Sequence, residues 1–316
     1  MKPVVFIVTP GTRDANNGNW RTAARWARML GDRHQVIVQT AWAGEPADVL
    51  VALHARRSAA SIERFHQETG RPIGVVLTGT DLYRDLAAGG VTAESLDVAK
   101  RIVVLQDDAP RLLPAAWRRK CDVIFQSAAS IRHRPVRDGI LRCAIVGHLR
   151  EEKDPLTMIR ALERLPPEVN VRVRHIGAAL DKDLAQAARA FARRDPRYRY
   201  AGALPHGLAR AAIAASDLLV HPSLMEGGAN VVVEAVTAGT PVVASRISGN
   251  IGMLGRGYRG YFEAGDSQAL AKLIRRCALQ GTFLAILKAA CDRRKGLFRP
   301  GAESREIRAL VARLLA

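Results

Sequence analysis

The fold is decided by residues 223–244, which read Ser223-Leu-Met-Glu-Gly-Gly-Ala-Asn-Val-Val-Val-Glu-Ala-Val-Thr-Ala-Gly-Thr-Pro-Val-Val-Ala244. The apolar run just before this stretch, 218–220, predicts a short buried strand. Gly227-Gly228 then opens a helix, and Gly239 ends it before a second apolar strand. A strand, a loop, a helix and another strand in this order predict an α/β fold.

The predicted helix is apolar on nearly every side, which is normal for a buried helix. One stripe is polar, because Asn230, Glu234 and Thr237 fall on a single helical face. A buried carboxylate is costly unless something pairs with it, and Glu226 adds a second one at the helix mouth. One interpretation is a ligand with phosphates at the mouth and hydroxyls at the two glutamates. The other is a core helix whose Glu234 pairs with an arginine such as Arg246, and the residues alone leave both open.

Glu226-Gly-Gly-(x)5-Glu234, followed by Ala-Gly-Thr-Pro-Val-Val, resembles the nucleotide-sugar signature of the retaining GT-B glycosyltransferases. The resemblance implies an α/β fold of two Rossmann-like domains that face each other across a cleft. It also implies that Glu234 holds the ribose hydroxyls and that Glu226, a catalytic candidate, holds the donor sugar. The residues of this stretch that are implied to bind the nucleotide sugar are Glu226, Gly227, Gly228, Ala229, Asn230 and Glu234.

The composition is that of a globular protein with two domains of ordinary size, since the chain has 316 residues and 48% of them are hydrophobic. No apolar run approaches the roughly 18 residues of a membrane-spanning helix. The apolar run 4–8 is too short for a signal peptide and predicts a first strand. We expect a cytoplasmic protein with reduced cysteines, because paired spacings are missing among them. The cysteines are Cys121, Cys143, Cys277 and Cys291.

The formal net charge of +18 permits more than one interpretation. A basic chain can bind nucleic acid, but the arginines are spread over the whole sequence, without a basic tail or an aromatic-rich RNA-binding motif. A solvated basic surface and a basic cleft for phosphorylated ligands both stay open. We expect no nucleic-acid partner. The rival hypothesis, a non-enzymatic nucleic-acid binder, predicts salt-sensitive retention on DNA or RNA.

We predict that residues 1–135 form the first domain, a Rossmann-like sheet with helices. The loop after its first strand lacks the GxGxxG pattern, so no cofactor of the dinucleotide type is expected. The loop is crowded with hydrogen-bond donors beside a helix start, which suits an anion or a hydroxylated ligand, although an ordinary polar loop is the alternative. Strands are expected at 3–8, 35–39, 49–53, 73–77, 102–105 and 123–125, and helices at 19–30 and 57–68.

A candidate acceptor site lies where two strands of this domain end. In parallel α/β sheets, ligands bind at the carboxyl ends of the strands, so the loop after the first strand and the segment after strand 73–77 are expected to face the cleft. Asp81 in the second segment is the best candidate for a general base. The predicted acceptor-binding residues are Gly11, Thr12, Arg13, Asn17, Asn19, Arg21 and Thr80.

We predict that residues 136–300 form the second domain and that a linker near 130–139 joins it to the first. It begins with a strand at 143–146, a loop, and a helix that starts at Pro155. GT-B enzymes usually carry Gly-Arg-Leu-x-x-x-Lys in this loop, and both cations meet the donor diphosphate. This chain has His148 in place of that arginine, and Arg150 is the candidate substitute. By resemblance, the donor-binding residues here are His148, Arg150 and Lys153, with Lys153 also a catalytic candidate.

Three later segments complete the prediction. Tyr198-Arg-Tyr-Ala-Gly-Ala-Leu204 resembles the family segment that lines the uracil pocket, which implicates Gly202 and Leu204. Asp181-Lys-Asp183 matches the DxD metal motif of another glycosyltransferase fold, but aspartate favours helix caps, so we expect a cap and no metal. The tail is predicted to be helical, and its last residues, 301–316, are expected to cross back to the first domain.

A closer resemblance comes from the first domain. Ile7-Val-Thr-Pro-Gly11, Asn17-Gly-Asn-Trp-Arg-Thr-Ala-Ala-Arg-Trp-Ala27 and Leu77-Thr-Gly-Thr-Asp-Leu-Tyr-Arg-Asp-Leu86 look like the selenosugar synthases of bacterial selenoneine biosynthesis. This resemblance implies a carbon–selenium bond formed between a UDP-sugar, such as UDP-N-acetylglucosamine, and selenophosphate, with release of UDP and later of phosphate. Selenophosphate is already an anion at neutral pH, so it needs little help from a general base. The alternative is an ordinary GT-B glycosyltransferase that acts on a hydroxyl acceptor.

Overall fold

The computed structural model describes residues 2–12, 18–86, 89–136 and 138–316. The chain divides into two compact units. Unit 1 comprises residues 1–126 and 300–316, and unit 2 comprises residues 127–299. Each unit is built on its own parallel sheet, so the predicted α/β class with two Rossmann-like parts is confirmed.

Unit 1 contains a six-stranded sheet in the order β2-β1-β3-β4-β5-β6, and all its neighbouring strands run parallel. Every residue of β3 and β4 is buried, because helices cover both faces of a parallel sheet. The strands are β1 (Val4–Val8), β2 (Gln35–Gln39), β3 (Val49–Leu53), β4 (Ile73–Leu77), β5 (Arg101–Val104) and β6 (Cys121–Val123).

The helices of unit 1 follow the strands in the alternation that the sequence predicts. A π-helical turn, Asp81–Asp85, lies between β4 and the next helix, and a 3-10 turn, Ala109–Leu112, follows β5. Phe65 and Leu96 pack in the core on one face of the sheet, and Trp26 packs in the core on the other. The helices are α1 (Gly18–Leu30), α2 (Ala59–Thr69), α3 (Val91–Val98) and α4 (Ala115–Arg119).

Unit 2 contains a second six-stranded parallel sheet, in the order β12-β11-β10-β7-β8-β9. β10 and β11 are buried along their whole length, and the signature loop and helix, residues 222–241, lie between them in the chain. The strands are β7 (Leu141–Val146), β8 (Val171–Ile176), β9 (Tyr198–Tyr200), β10 (Leu218–His221), β11 (Val242–Ser245) and β12 (Tyr261–Phe262).

Seven helices lie among the described residues of unit 2. The first begins at Pro155, as predicted, and Asp181 caps the second by accepting hydrogen bonds from the backbone of Asp183 and Leu184, so the expected cap is confirmed. The helices are α5 (Pro155–Glu163), α6 (Lys182–Arg194), α7 (His206–Ala214), α8 (Asn230–Ala238), α9 (Ser248–Leu254), α10 (Ser267–Leu279) and α11 (Gly281–Arg294).

The last helix, α12 (Pro300–Leu315), belongs to unit 1 and packs beside α1. The buried carboxylate of Glu303 accepts hydrogen bonds from Arg25 Nε and Trp26 Nε1, each at 2.7 Å. Near its other end, the Leu314 carbonyl accepts a hydrogen bond from Lys100 Nζ at 3.1 Å. Both ends of α12 are therefore fixed to unit 1 by polar contacts as well as by apolar packing.

Two boundaries in unit 2 differ from the sequence prediction. The signature helix begins at Asn230 and not at Gly228, because Ala229 has an extended backbone. The strand predicted at 143–146 begins two residues earlier, at Leu141. All four cysteines are free thiols, and no helix in the described ranges is long and apolar enough to cross a membrane.

Candidate functional site

Glu226 lies in the loop between β10 and α8 and is nearly buried. Lys153, from a 3-10 turn after β7, donates a hydrogen bond to Glu226 Oε1. His221, the last residue of β10, places Nε2 3.2 Å from the same oxygen, an ion-pair distance without hydrogen-bond alignment. Burial alone would raise the pKa of the Glu226 carboxyl, but the positive charge of Lys153 and the contact with His221 hold that pKa below its ordinary value. Glu226 is therefore an ionised carboxylate in a protein interior.

Helix α8 begins without a side-chain cap. Ala229 stands at the N-cap position, where it has no side-chain acceptor for the first backbone N–H groups of the helix. The neighbouring helix α9 approaches closely, since a Cβ on Gly249 would lie 2.0 Å from the carbonyl oxygen of Glu226. Only glycine permits that approach, so Gly249 fixes the position of the Glu226 loop.

Glu234 lies in the second turn of α8, and its carboxylate is largely buried. His206, the first residue of α7, places Nε2 2.6 Å from Glu234 Oε1. Arg246, the partner considered in the sequence analysis, instead lies 3.9 Å from Glu263 and packs over the ring of Tyr261. The partner of Glu234 is thus a half-exposed histidine and not the arginine.

The loop after β7 carries the three predicted donor-binding cations. His148 Nδ1 accepts a hydrogen bond from the backbone N–H of Ala178 at 3.0 Å, so this ring braces the loop against the segment after β8. Arg150 is exposed and its Nε lies 3.8 Å from Glu152. Lys153 points to Glu226, as described above. Lys153 thus brings this loop into contact with a signature glutamate.

His175 and two tyrosines form hydrogen bonds around the loop after β7. His175 is buried, with Nδ1 2.7 Å from the Tyr198 hydroxyl and Nε2 3.2 Å from the carbonyl of Gly147. Burial lowers the pKa of His175 to about 4, so its ring is neutral at physiological pH. The Tyr200 hydroxyl donates to the carbonyl of Gly177 at 2.8 Å. The segment Tyr198–Tyr200 therefore holds the loops after β7 and β8 in place.

Gly202 and Leu204 lie between β9 and α7. Gly202 has φ of +69° and accepts a hydrogen bond from the backbone of Gly177 at 2.8 Å. Leu204 packs against Ile176 and Ala209. The predicted base-binding segment is thus anchored at the carboxyl end of β8, directly before His206.

Asp81 is fully buried in unit 1 and its oxygens are used by the backbone. They accept hydrogen bonds from the N–H groups of Ala55, Thr78 and Gly79, at 2.8 to 3.2 Å. Burial raises the pKa of this carboxyl, while nearby His54 opposes the shift. The arrangement favours a structural function for Asp81, because proton transfer at a substrate would require these bonds to be given up.

His54 is a feature that the sequence analysis missed. It follows β3 with φ of +71°, a left-handed conformation that is strained for a side chain of this size. Its Nε2 lies 2.9 Å from Thr80 Oγ1, and its Nδ1 lies 3.8 Å from Asp81 Oδ2. Burial lowers the pKa of His54. The signal in the sequence was a histidine at the carboxyl end of a buried strand.

The predicted acceptor residues lie around one edge of the sheet of unit 1, as far as they are described. Gly11 and Thr12 follow β1, Asn19 and Arg21 lie in the first turn of α1, and Thr80 follows β4. β1 and β4 both pair with β3, so these segments leave the same edge of a parallel sheet. Arg13 and Asn17 lie outside the described residues.

Comparison with known proteins identifies the class of this chain. Residues 135–289 match the family described as Glycosyl transferases group 1. This part of the chain belongs to the group 1 glycosyltransferases. The matched region contains both signature glutamates, the loop with Lys153 and the predicted base-binding segment. Across the part of the enzyme that the structure describes, no group of three or more histidine, cysteine, aspartate or glutamate side chains could hold a metal ion.

Solved structures show the same fold over the whole glycosyltransferase. HepE of Anabaena in complex with UDP is similar with a TM-score of 0.78, 18% identity, and coverage of 99% of this chain and 100% of that one. HepE in complex with UDP-glucose is similar with a TM-score of 0.77 and 17% identity, and the match covers 99% of this chain and 100% of that one. Sucrose-phosphate synthase from Thermosynechococcus elongatus is similar with a TM-score of 0.77 and 15% identity, and the match covers 99% of each chain. These neighbours are GT-B glycosyltransferases, so the fold predicted from the sequence is confirmed.

Proposed function

We propose that this enzyme transfers the sugar of a UDP-sugar, such as UDP-N-acetylglucosamine, to the selenium of selenophosphate. The observation that carries the donor half is the position of Glu226, Lys153 and Glu234 around the beginning of α8. The complexes of HepE with UDP and UDP-glucose support it, because a chain of the same fold binds this class of donor.

In this proposal each group around α8 has one task. Glu234 accepts hydrogen bonds from the ribose hydroxyls, and Glu226 accepts from the sugar. The diphosphate competes with Glu226 for the ammonium of Lys153 and lies at the positive end of the α8 dipole. Both contacts stabilise the charge that grows on UDP as it departs. Arg150 supplies a further cation to the diphosphate, and His148, whose Nδ1 accepts from Ala178, carries its donor proton on Nε2.

The acceptor half rests on the resemblance of the first domain to the selenosugar synthases. Selenium attacks C1 of the sugar, the bond from C1 to the UDP oxygen breaks, and its electron pair leaves with UDP. Water then cleaves the P–Se bond, which releases phosphate and a 1-selenosugar. Because the oxygens of Asp81 are held by backbone donors, an acceptor that is already anionic suits this chain better than a hydroxyl that needs a base.

Purified enzyme should be incubated without oxygen with UDP-N-acetylglucosamine or UDP-glucose and selenophosphate. Mass spectrometry should show UDP and a product with the selenium isotope pattern. Glu234→Gln keeps the shape of the side chain and removes its charge, so it should weaken donor binding in a folded protein.

The outcomes separate the two halves of the proposal. Faster transfer to a sugar or lipid alcohol than to selenophosphate would make the enzyme an ordinary hydroxyl glycosyltransferase. A wild-type enzyme that neither binds nor consumes any UDP-sugar would contradict the donor assignment itself.

A further inference from the structure

Each signature glutamate meets a histidine, but the two histidines differ. His221 is buried beside Glu226 and comes from the strand that precedes it. The His206 side chain is 41% exposed, whereas that of its partner Glu234 is 8% exposed. An exposed side chain rarely holds one geometry, yet His206 Nε2 and Glu234 Oε1 are 2.6 Å apart, the distance of a strong charge-assisted hydrogen bond.

Local structure explains why His206 reaches Glu234. Pro205 precedes it with an extended backbone, and His206 is the first residue of α7, which packs against α8. Leu204, two residues earlier, is seated in an apolar cluster with Ile176 and Ala209. The backbone of His206 is therefore fixed just after the predicted base-binding segment, and its side chain reaches from α7 to Glu234 on α8.

We propose that His206 is a positioning residue for nucleotide recognition, which fixes the carboxylate of Glu234 in the orientation that binds the ribose. This inference rests on the proposed UDP-sugar donor. An ionised carboxylate has about four acceptor positions, so one bond from His206 Nε2 leaves room for two ribose hydroxyls. Without that bond the carboxylate is free to rotate, and ordering it again reduces affinity for the ribose.

The test compares UDP with 2′-deoxy-UDP by calorimetry in the wild-type enzyme and in His206→Ala. Wild type should bind UDP about tenfold more tightly than 2′-deoxy-UDP, since one charged hydrogen bond is lost. His206→Ala should bind UDP about fivefold more weakly and 2′-deoxy-UDP, which keeps one hydroxyl on Glu234, only about twofold more weakly, so discrimination between them falls.

Two further variants make the test specific. His206→Gln keeps an N–H donor near the position of Nε2 and should restore most of the discrimination. Leu208→Ala, on the same helix and 57% exposed, should leave both affinities unchanged.

The results that would overturn the inference are distinct from those that concern the donor. Equal affinity of His206→Ala and wild type for UDP, equal weakening for both nucleotides, or tighter UDP binding would show that His206 does not orient Glu234 for the ribose. If the wild-type enzyme binds neither nucleotide, the proposed UDP-sugar donor is wrong and the inference falls with it.

Discussion

Lys153 and His221 approach the same oxygen of Glu226, the first by a hydrogen bond from Nζ and the second at 3.2 Å. Lys153 is 73 residues from Glu226 in the chain, so this pair joins the loop after β7 to the loop after β10. An ion pair in a largely buried place contributes to stability only while both partners are present. The same ammonium is the proposed ligand of the donor diphosphate, so the proposal gives Lys153 a function in both stability and catalysis.

Lys153→Ala should therefore lower both turnover and the free energy of unfolding, the latter by about 3 kcal/mol, because it leaves Glu226 buried without its main partner. The double variant Lys153→Met/Glu226→Gln removes both charges and should recover most of that stability without recovering turnover. Chemical denaturation and UDP release would be measured on the same preparations. Normal stability in Lys153→Ala would contradict the coupling.

The stability of the fold should also depend on pH through His175. The pKa of this buried histidine is lowered to about 4, whereas its ordinary value is 6.5. Between these two pH values the unfolded chain binds a proton that the folded protein excludes, so stability is lost as pH falls from 6.5 to 4 and is complete above 6.5. The contribution of His175 to this loss is about 3 kcal/mol.

His175→Gln, which does not titrate, should flatten that part of the stability profile, although His54, whose pKa is also lowered, keeps a slope of the same sign. His66→Gln, at an exposed position on α2, is the matched control and should leave the profile unchanged. Denaturation curves at several pH values measure the effect. An identical slope in His175→Gln and wild type would exclude His175 as a source.

The sequence predicted the strands well because buried parallel strands are short apolar runs, and every described strand up to β7 lies within two residues of its prediction. It also predicted the Asp181 cap, which depends only on neighbours. It could not predict that Glu234 meets His206, since 28 residues and a whole strand separate them. The strained His54 backbone was hidden for the same reason, because it depends on contacts made by β4.

The attachment of α12 to unit 1 gives a prediction about stability alone. Glu303→Ala leaves Arg25 and the Trp26 N–H without their buried acceptor, and should lower the free energy of unfolding by about 3 kcal/mol or more. Glu306→Ala, exposed on the same helix, should have little effect. Thermal unfolding monitored by circular dichroism would compare them, and equal melting temperatures would show that Glu303 does not anchor α12.

Metal independence remains a prediction. We expect transfer to continue in excess chelator at a rate close to the untreated one, because Lys153 and the start of α8 carry the diphosphate charge in the proposed mechanism. The measurement is UDP release with and without EDTA. A complete loss that a divalent cation reverses would make Asp181 and Asp183 worth testing again, although Asp181 already caps α6.

The last prediction concerns the acceptor, and its control is a second arginine on α1. In the sequence Arg13 falls between β1 and α1, and Arg21 lies in the first turn of α1; two such donors suit a small tetrahedral anion. Arg13→Ala and Arg21→Ala should each raise the KM for selenophosphate about tenfold while the Kd for UDP stays within twofold of wild type, because one charged contact to the anion is removed.

Arg28→Ala, exposed in the last turn of the same helix, removes an identical charge from the far end. It reports any effect that comes only from the net charge of +18, which screening by salt should suppress. A specific acceptor site requires that Arg13→Ala and Arg21→Ala keep their effect in 0.5 M salt and that Arg28→Ala has none. If all three variants behave alike, the charge acts at long range and these arginines do not bind the acceptor. If Arg13→Ala or Arg21→Ala instead abolishes UDP binding, the loop serves the donor.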